Sequence, residues 1–220
     1  MTSIPELSGP SVAPASGGRP KQLIMFLHGL GADGNDLIDL AGPMSSLFPD
    51  AQFVSPNAPY PCDMAPFGYQ WFSLQERSME IMLEGVRDAE PILNHYIDQQ
   101  LSEHELDITN LAVVGFSQGT MTALHTLPRR STACAAIVGF SGALLAGDEL
   151  LAEEVKSKPP VCLVHGDADM VVPHEALAMA EAALAKNGFE CETHSRPGLG
   201  HGIDPEGLQA AVAFLKKHLG

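Results

Sequence analysis

Four short runs of apolar residues recur along this 220-residue chain, and they constrain its fold more than any other feature. The runs are Leu23 to Leu27, Leu111 to Val114, Ala135 to Val138 and Val161 to Val164. Apolar runs of this length without polar alternation are typical of strands buried on both faces, as in a parallel sheet covered by helices. A weaker strand is predicted over Gln52 to Val54, and the alternation of Phe189 to His194 predicts a strand nearer an edge.

Helical patterns lie between and after these runs. They span Asp36 to Leu47, Met79 to Leu101, Gln118 to Leu127, Pro173 to Lys186 and Pro205 to Leu219. Pro91 lies inside the longest pattern and predicts a kink or break there, because proline removes a helical hydrogen bond. Strands that alternate with helices imply right-handed crossovers. We therefore expect an α/β fold with a mostly parallel central sheet and helices on both faces.

Length and composition favour one domain. The chain is 45% hydrophobic and 18% charged, which suits one sizeable core better than two small ones. Residues 1–20 are rich in proline, serine and glycine without apolar periodicity, so they are predicted to form a flexible tail before a single domain at 21–220. We expect no signal peptide, membrane span or large lid domain, because no apolar run or insertion is long enough.

The net charge and the cysteines limit the partners and the compartment. A formal net charge of −15 argues against binding to nucleic acid or to anionic lipid, since both surfaces repel such a chain. The four cysteines are widely spaced and form no metal-like pattern with histidine, which favours reduced thiols in a cytoplasm. Cys134 and Cys162 lie in apolar runs and are predicted core residues, whereas the Pro-rich loop around Cys62 favours exposure.

The segment Gly115-Phe116-Ser117-Gln118-Gly119 lies where an apolar run ends and a helical pattern begins. A chain that turns sharply from a strand into a helix needs small residues on both sides of the turn, and the two glycines supply them. In such an elbow the central side chain points off the end of the sheet, and the next N–H lies at a helix N-terminus. Ser117 is therefore the candidate nucleophile, and an ordinary Gly/Ser turn is the competing interpretation.

Other polar groups follow the remaining apolar runs, where the carboxyl ends of parallel strands meet. Residues 28–34 form a Gly-rich loop whose backbone N–H groups suit an oxyanion. A phosphate-binding loop is the competing interpretation, but neither common phosphate-binding glycine pattern is present. Asp167 and Asp169 follow the fourth run, and His201 lies in a Gly-rich loop before the last helix. A serine needs an imidazole as base and a carboxylate to orient it. The residues alone leave open which of the two aspartates does so.

Several segments together resemble the bacterial carboxylesterase and acyl-protein thioesterase family of α/β-hydrolases. They are His28-Gly29-Leu30-Gly31, Pro56-Asn57-Ala58-Pro59, Trp71-Phe72, Gly115-Phe116-Ser117-Gln118-Gly119, His165-Gly166-Asp167-Ala168-Asp169 with Val172-Pro173, and Gly200-His201. The resemblance implies the α/β-hydrolase fold without a large lid domain, a catalytic triad and an oxyanion hole, and no metal or organic cofactor. By similarity, Ser117, Asp169 and His201 are the triad, and the N–H groups of Leu30 and Gln118 form the oxyanion hole. A homodimer is also consistent with the family, while Ser73 replaces the aspartate that often follows the Trp-aromatic pair.

The substrate is expected to be a small-molecule ester or thioester. The segment Pro61 to Leu74 is rich in large apolar side chains, which are predicted either to form an acyl pocket or to cap the core. The pocket prediction comprises Met64, Phe67, Trp71, Phe72, Leu74, Met170 and Val172. We expect hydrolysis of carboxylic esters with short to medium acyl chains. The alternatives are an acyl-protein thioesterase or lysophospholipase that acts on long chains, and a non-catalytic binding module on the same scaffold.

Overall fold

A seven-stranded sheet forms the centre of the protein, as seen in a computed structural model that describes residues 4–145 and 152–219. The strands of the described residues, two of which lie outside this sheet, are β1 (Ser11–Val12), β2 (Gln22–Leu27), β3 (Ala51–Val54), β4 (Tyr60–Pro61), β5 (Tyr69–Gln70), β6 (Leu111–Phe116), β7 (Ala136–Phe140), β8 (Val161–Gly166) and β9 (Cys191–Arg196). The order across the large sheet is β1-β3-β2-β6-β7-β8-β9, and only β1 is antiparallel to its neighbour. Strands β4 and β5 form a separate antiparallel ribbon. The predicted mostly parallel sheet is confirmed.

α-Helices flank the sheet, and residues 152–154 are helical in addition to the helices named next. They are α1 (Gly34–Ile38), α2 (Ala41–Ser45), α3 (Met79–His104), α4 (Gln118–Thr126), α5 (Glu175–Lys186) and α6 (Pro205–Leu219). Two 3₁₀ turns, Ile108–Asn110 and Leu127–Arg129, follow α3 and α4. The single helix predicted over Asp36 to Leu47 is wrong, because two short helices replace it. Pro43 lies in the second of them and has no N–H to continue the first.

Both faces of the central strands are apolar, because alternate side chains of a strand point to opposite layers. In β2, Leu23, Met25 and Leu27 pack in the layer of α3, α4 and α5. Ile24 and Phe26 pack in the layer of α1, α2 and α6. This explains why each apolar run is continuous in sequence, and it confirms helices on both faces.

Helix α3 runs unbroken through Pro91, so the predicted break is absent. Pro91 is exposed, while Ala89 and Leu93 on either side of it are fully buried against the sheet. Proline in a helix interior costs roughly 3 kcal/mol. Burial of the apolar face on both sides of the proline offsets that cost and holds the helix in one piece.

The segment before residue 21 is not the free tail that its composition predicts. Ser11 and Val12 pair with Val54 and Phe53, and Asn57 N–H donates to the Ser8 carbonyl at 2.9 Å. These bonds use only backbone groups, so they need no apolar periodicity in the sequence. The prediction is wrong for this part of the segment, while residues 1–3 of the predicted tail and residues 146–151 and 220 of the predicted domain lie outside the described residues.

Within residues 4–145 and 152–219, no helix is long and apolar enough to cross a membrane.

Candidate active site

Ser117 lies at the sharp turn between β6 and α4. Its backbone has φ 52° and ψ −115°, a conformation that costs a non-glycine residue on the order of 1–3 kcal/mol. Neither flanking glycine tolerates a side chain, because a Cβ on Gly115 would lie 2.5 Å from the Thr120 nitrogen and one on Gly119 would lie 1.9 Å from the Leu27 oxygen. The Ser117 N–H donates to the Phe140 carbonyl at 2.8 Å. The strand-to-helix elbow that the sequence predicts is therefore present.

Two backbone N–H groups are available beside Ser117. Gln118 is the first residue of α4, where an N–H has no acceptor within the helix. Leu30 lies in the loop after β2, and among the described residues no group accepts a hydrogen bond from its N–H. The loop passes close to the elbow, since a Cβ on Gly29 would lie 3.3 Å from the Ser117 Cβ. Leu30 and Ser117 line one cavity and Gln118 follows Ser117 in the chain, so the two residues predicted to supply the oxyanion hole lie at the same site.

His28 holds this loop through hydrogen bonds of both its ring nitrogens. Its Nε2 accepts a hydrogen bond from the Ala58 N–H at 2.9 Å, so the ring proton lies on Nδ1, which donates to the Gly29 carbonyl at 2.7 Å. Burial lowers the pKa of His28 and outweighs the Gly29 carbonyl and the nearby carboxylates, which raise it. His28 is therefore neutral at pH 7, and its contacts hold the backbone of this loop.

Asp169 and His201 are brought together from two loops. His201 Nδ1 lies 2.7 Å from Asp169 Oδ2, and the N–H groups of Val171 and Val172 donate to Asp169 Oδ1 at 2.8 and 3.0 Å. Burial opposes ionisation of Asp169, but the hydrogen bonds from His201, Val171 and Val172 outweigh it and hold the pKa of this carboxyl below its usual value. The carboxylate is therefore ionised at neutral pH and faces the imidazole.

The two loops are joined by further contacts. Ala168 N–H donates to the Leu199 carbonyl at 3.0 Å, and Asp167 Oδ1 accepts from the Gly198 N–H at 2.6 Å. Gly166 permits this approach, since a Cβ there would lie 2.1 Å from the Leu199 oxygen. Asp167 is exposed and ties the backbone of the histidine loop, whereas Asp169 is the aspartate in contact with the imidazole.

A second histidine at Asp169, which is buried, was not predicted from the sequence. His165 lies one residue before the end of β8, donates from Nε2 to the Val172 carbonyl at 3.0 Å and lies 3.3 Å from Asp169 Oδ2. It therefore closes the turn that presents the carboxylate. Its position four residues before Asp169, directly after an apolar run, was the available signal.

A large apolar cavity of about 780 Å³ opens beside Ser117 and His201. Its volume falls within the roughly 300–1,000 Å³ of ligand pockets. Aliphatic and thioether side chains from α3, α4, α5 and the loops between them form most of its wall: Leu74, Met79, Met82, Met121, Leu144, Leu145, Val171, Val172, Ala176, Met179, Ala180 and Ala183. Most of these residues were not predicted from the sequence. Met121 was detectable, because it lies four residues after Ser117 and thus one helical turn further along the same face.

Of the seven residues predicted to line a pocket, the cavity contains Leu74 and Val172. Met64, Phe67 and Met170 do not line it and are 50%, 74% and 94% exposed, so their apolar character gave a wrong prediction. Trp71 and Phe72 do not line it either, because both are buried in the core.

Cys62 and Trp71, which belong to the same segment, both lie inside the protein. Cys62 is buried rather than exposed, since its N–H donates to the Gly68 carbonyl at 2.9 Å and the ribbon folds back on itself. Trp71 is held inside by its polar groups, because its indole N–H donates to the His28 carbonyl at 3.0 Å. Of the two predictions for Trp71, the core position is the one observed.

The sequence profile of one family, described as phospholipase/carboxylesterase, matches residues 10–219. A probable carboxylesterase of Oryza sativa subsp. japonica is 29% identical, in an alignment that covers 96% of this chain and 82% of the rice protein. An acyl-protein thioesterase 1 homolog of Dictyostelium discoideum is 27% identical, over 89% of this chain and 90% of that protein.

A solved structure agrees with these relatives. The crystal structure of esterase PE8 has a TM-score of 0.93 and 41% identity, and the match covers 97% of this chain and 100% of that one. The chain therefore belongs to the phospholipase/carboxylesterase family of α/β-hydrolases and is a hydrolase of carboxylic esters or thioesters.

Proposed function

We propose that Ser117, His201 and Asp169 hydrolyse an ester or thioester through an acyl-enzyme, with Leu30 and Gln118 as the oxyanion hole. The observation that carries this proposal is the 2.7 Å contact between His201 Nδ1 and Asp169 Oδ2 at a cavity that Ser117 and His201 both line. A non-catalytic module has no need to hold a serine at φ 52° beside that pair.

In the first half-reaction the Ser117 Oγ attacks the carbonyl carbon, and His201 Nε2 takes the hydroxyl proton. The carbonyl oxygen becomes an oxyanion that accepts hydrogen bonds from the Leu30 and Gln118 N–H groups. The Asp169 carboxylate keeps the proton of the neutral imidazole on Nδ1 before this transfer and stabilises the imidazolium that forms. When the oxyanion collapses, the bond to the alcohol or thiol breaks, and His201 donates the proton to that leaving group.

In the second half-reaction a water molecule attacks the acyl-enzyme. His201 takes one proton from this water, and the same two N–H groups stabilise the second oxyanion. Collapse breaks the bond between the acyl group and Ser117 Oγ, and the proton returns from His201 to the serine. The products are a carboxylic acid and the free enzyme.

The cavity favours an apolar acyl group and has room beyond a short chain. Its wall is mostly methionine, leucine, valine and alanine, and burial of each methylene there is worth about 0.8 kcal/mol. The short to medium chain length that the sequence analysis favoured stays a prediction. The volume of about 780 Å³ is the observation in favour of the second candidate, a thioesterase or lysophospholipase that acts on long chains.

A substrate series separates these candidates. The purified protein is assayed with p-nitrophenyl esters and with acyl thioesters whose chains extend from two to sixteen carbons, each below its critical micelle concentration. A maximum of kcat/KM at short chains supports the first candidate, and a continued rise to long chains supports the second. If folded protein hydrolyses neither series, both candidate functions are wrong.

Narrowing the cavity is expected to change chain-length preference. The variant Ala176→Phe places a ring on the α5 wall, and it should lower the ratio of long-chain to short-chain kcat/KM by about 10-fold or more, because small apolar differences in a pocket are worth roughly 1–3 kcal/mol. The matched control is Ala178→Phe, on the same helix but exposed and outside the cavity. Equal ratios in the two variants would place the acyl chain elsewhere.

Activity is expected to rise with pH through the neutral range, since His201 can accept the serine proton only when its imidazole is neutral. Asp169 does not produce this rise, because its lowered pKa keeps it ionised there. The same shift stabilises the folded protein above about pH 4, and this contribution is lost only as the pH falls through the lowered value. Rates of p-nitrophenyl ester hydrolysis at constant ionic strength measure the profile, and a flat profile contradicts a histidine base.

Three further expectations stay predictions. The cytoplasmic location is supported by four cysteines with free thiols. The net charge of −15 supports the absence of nucleic-acid partners. The homodimer is supported by the resemblance to the family alone.

A further inference from the structure

A short segment, Tyr69–Phe72, crosses between the two parts of the chain that carry the proposed oxyanion donors. We call it the strap. On one side it pairs with the loop after β2, because Gly31 N–H donates to the Tyr69 carbonyl at 2.9 Å and Tyr69 N–H donates to the Ala32 carbonyl at 2.8 Å. These two bonds bracket the loop directly after Leu30. The approach is close, since a Cβ on Gly68 would lie 2.0 Å from the Gly31 oxygen.

On its other side the strap is bound to the elbow through one side chain. Gln118 is fully buried, and its Oε1 accepts from the Trp71 N–H at 2.9 Å while its Nε2 donates to the Phe72 carbonyl at 2.7 Å. The side chain thus satisfies two backbone groups of the strap. The backbone N–H of the same residue is the second proposed oxyanion donor.

The indole of Trp71 adds a third connection. It is fully buried, and its Nε1–H donates to the His28 carbonyl at 3.0 Å, at the point where the chain leaves β2. The pairing of β2 with β6 ends at Leu27 and Gly115. Beyond that pair, among the described residues, no strand hydrogen bonds join the loop after β2 to the elbow after β6. The strap connects them instead, because it bonds to both.

Resting on the proposed function, we infer that Trp71 is a positioning residue that sets the separation between the Leu30 and Gln118 N–H groups. An oxyanion hole is effective only when both donors lie about 2.7–3.1 Å from the oxyanion, so a small change in their separation weakens transition-state binding. Ground-state binding of an ester depends on the apolar cavity, which Trp71 does not line. Loss of the indole N–H therefore acts on turnover rather than on substrate affinity.

The test removes this N–H and keeps an aromatic ring. In Trp71→Phe, kcat for p-nitrophenyl acetate should fall about 10-fold or more, because misplacement of catalytic groups by an ångström costs up to about 100-fold. KM should change by less than about twofold, since the loss concerns the transition state. A trifluoromethyl ketone that adds to Ser117 mimics the tetrahedral intermediate, and its affinity should fall in proportion to kcat/KM.

A matched variant separates positioning from packing. Leu215→Val removes a methylene from a fully buried residue of α6, on the opposite face of the sheet, and should lower the melting temperature without a change in kcat or in ketone affinity. If Trp71→Phe behaves like Leu215→Val, Trp71 only packs and the inference is overturned. If KM rises by the same factor by which kcat falls, substrate binding is lost as well, and the inference is overturned.

A second replacement covers the case in which Trp71→Phe folds poorly. Trp71 is the single tryptophan of the chain, so biosynthetic incorporation of 3-benzothienylalanine replaces only its N–H, by sulfur, in a ring of the same shape. The same loss of kcat and ketone affinity is expected, and unchanged values overturn the inference. Failure of the proposed function is distinguishable, because wild-type protein would then be inactive or would keep its activity in Ser117→Ala.

Discussion

Replacement of Ser117 by alanine is expected to lower kcat for a p-nitrophenyl ester by about 10⁴-fold or more, because it removes the nucleophile. The fold should persist, since alanine adopts the elbow with the same backbone strain and loses one hydroxyl at a site that is 9% exposed. Stopped and steady-state assays measure the loss, and circular dichroism with a thermal melt verifies the fold. A small residual rate is expected, since the oxyanion hole and the cavity act without the serine.

A covalent label gives an independent result. A fluorophosphonate should modify wild-type protein once, at Ser117, and should not modify Ser117→Ala. The control Ser73→Ala removes an exposed hydroxyl of the loop after Phe72 and should keep both labelling and activity. Labelling at another serine, or activity retained in Ser117→Ala, would show that the elbow does not carry the nucleophile.

The parts of the structure that sequence predicts well are those fixed by local physics. The Gly115 and Gly119 positions leave no space for a Cβ, and this steric requirement is visible as a five-residue pattern. The apolar runs are equally local, because both faces of each central strand are buried. Residues 4–20 escape prediction for the opposite reason. Their hydrogen bonds with residues 53–57 join backbone groups, and the two side chains that pack on the core, Leu7 and Val12, form no periodic pattern.

The cavity is less predictable because its wall is assembled from distant segments. Met79, Met121 and Met179 lie on three helices, and only the packing of those helices on the sheet brings them to one space. Trp71 illustrates the same limit. Composition suggests an apolar wall, but hydrogen bonds to residues 43 and 47 positions away turn the indole into the core.

Replacement of Asp169 is expected to affect activity more than replacement of Asp167, the other aspartate of the loop after β8, because the contacts of its two oxygens differ. Its Oδ1 accepts from the N–H groups of Val171 and Val172, so only Oδ2 faces His201. In an asparagine the single oxygen stays with the two backbone donors, and the NH₂ group then points at His201 Nδ1. That contact requires an unprotonated Nδ1 and hence a proton on Nε2, which can no longer accept the proton of Ser117.

Asp169→Asn is therefore expected to lower kcat by about 10⁴-fold, as an asparagine in this position imposes the wrong imidazole tautomer. Asp167→Asn is the matched control and should lower kcat by less than about threefold, because an amide oxygen still accepts from the Gly198 N–H and the side chain is exposed. Steady-state rates on one ester, with melting temperatures for both variants, give the comparison. A partial recovery of Asp169→Asn at high pH is expected, since hydroxide then attacks without a base. A larger loss in Asp167→Asn than in Asp169→Asn would assign the orienting carboxylate to Asp167 and contradict the triad proposed here.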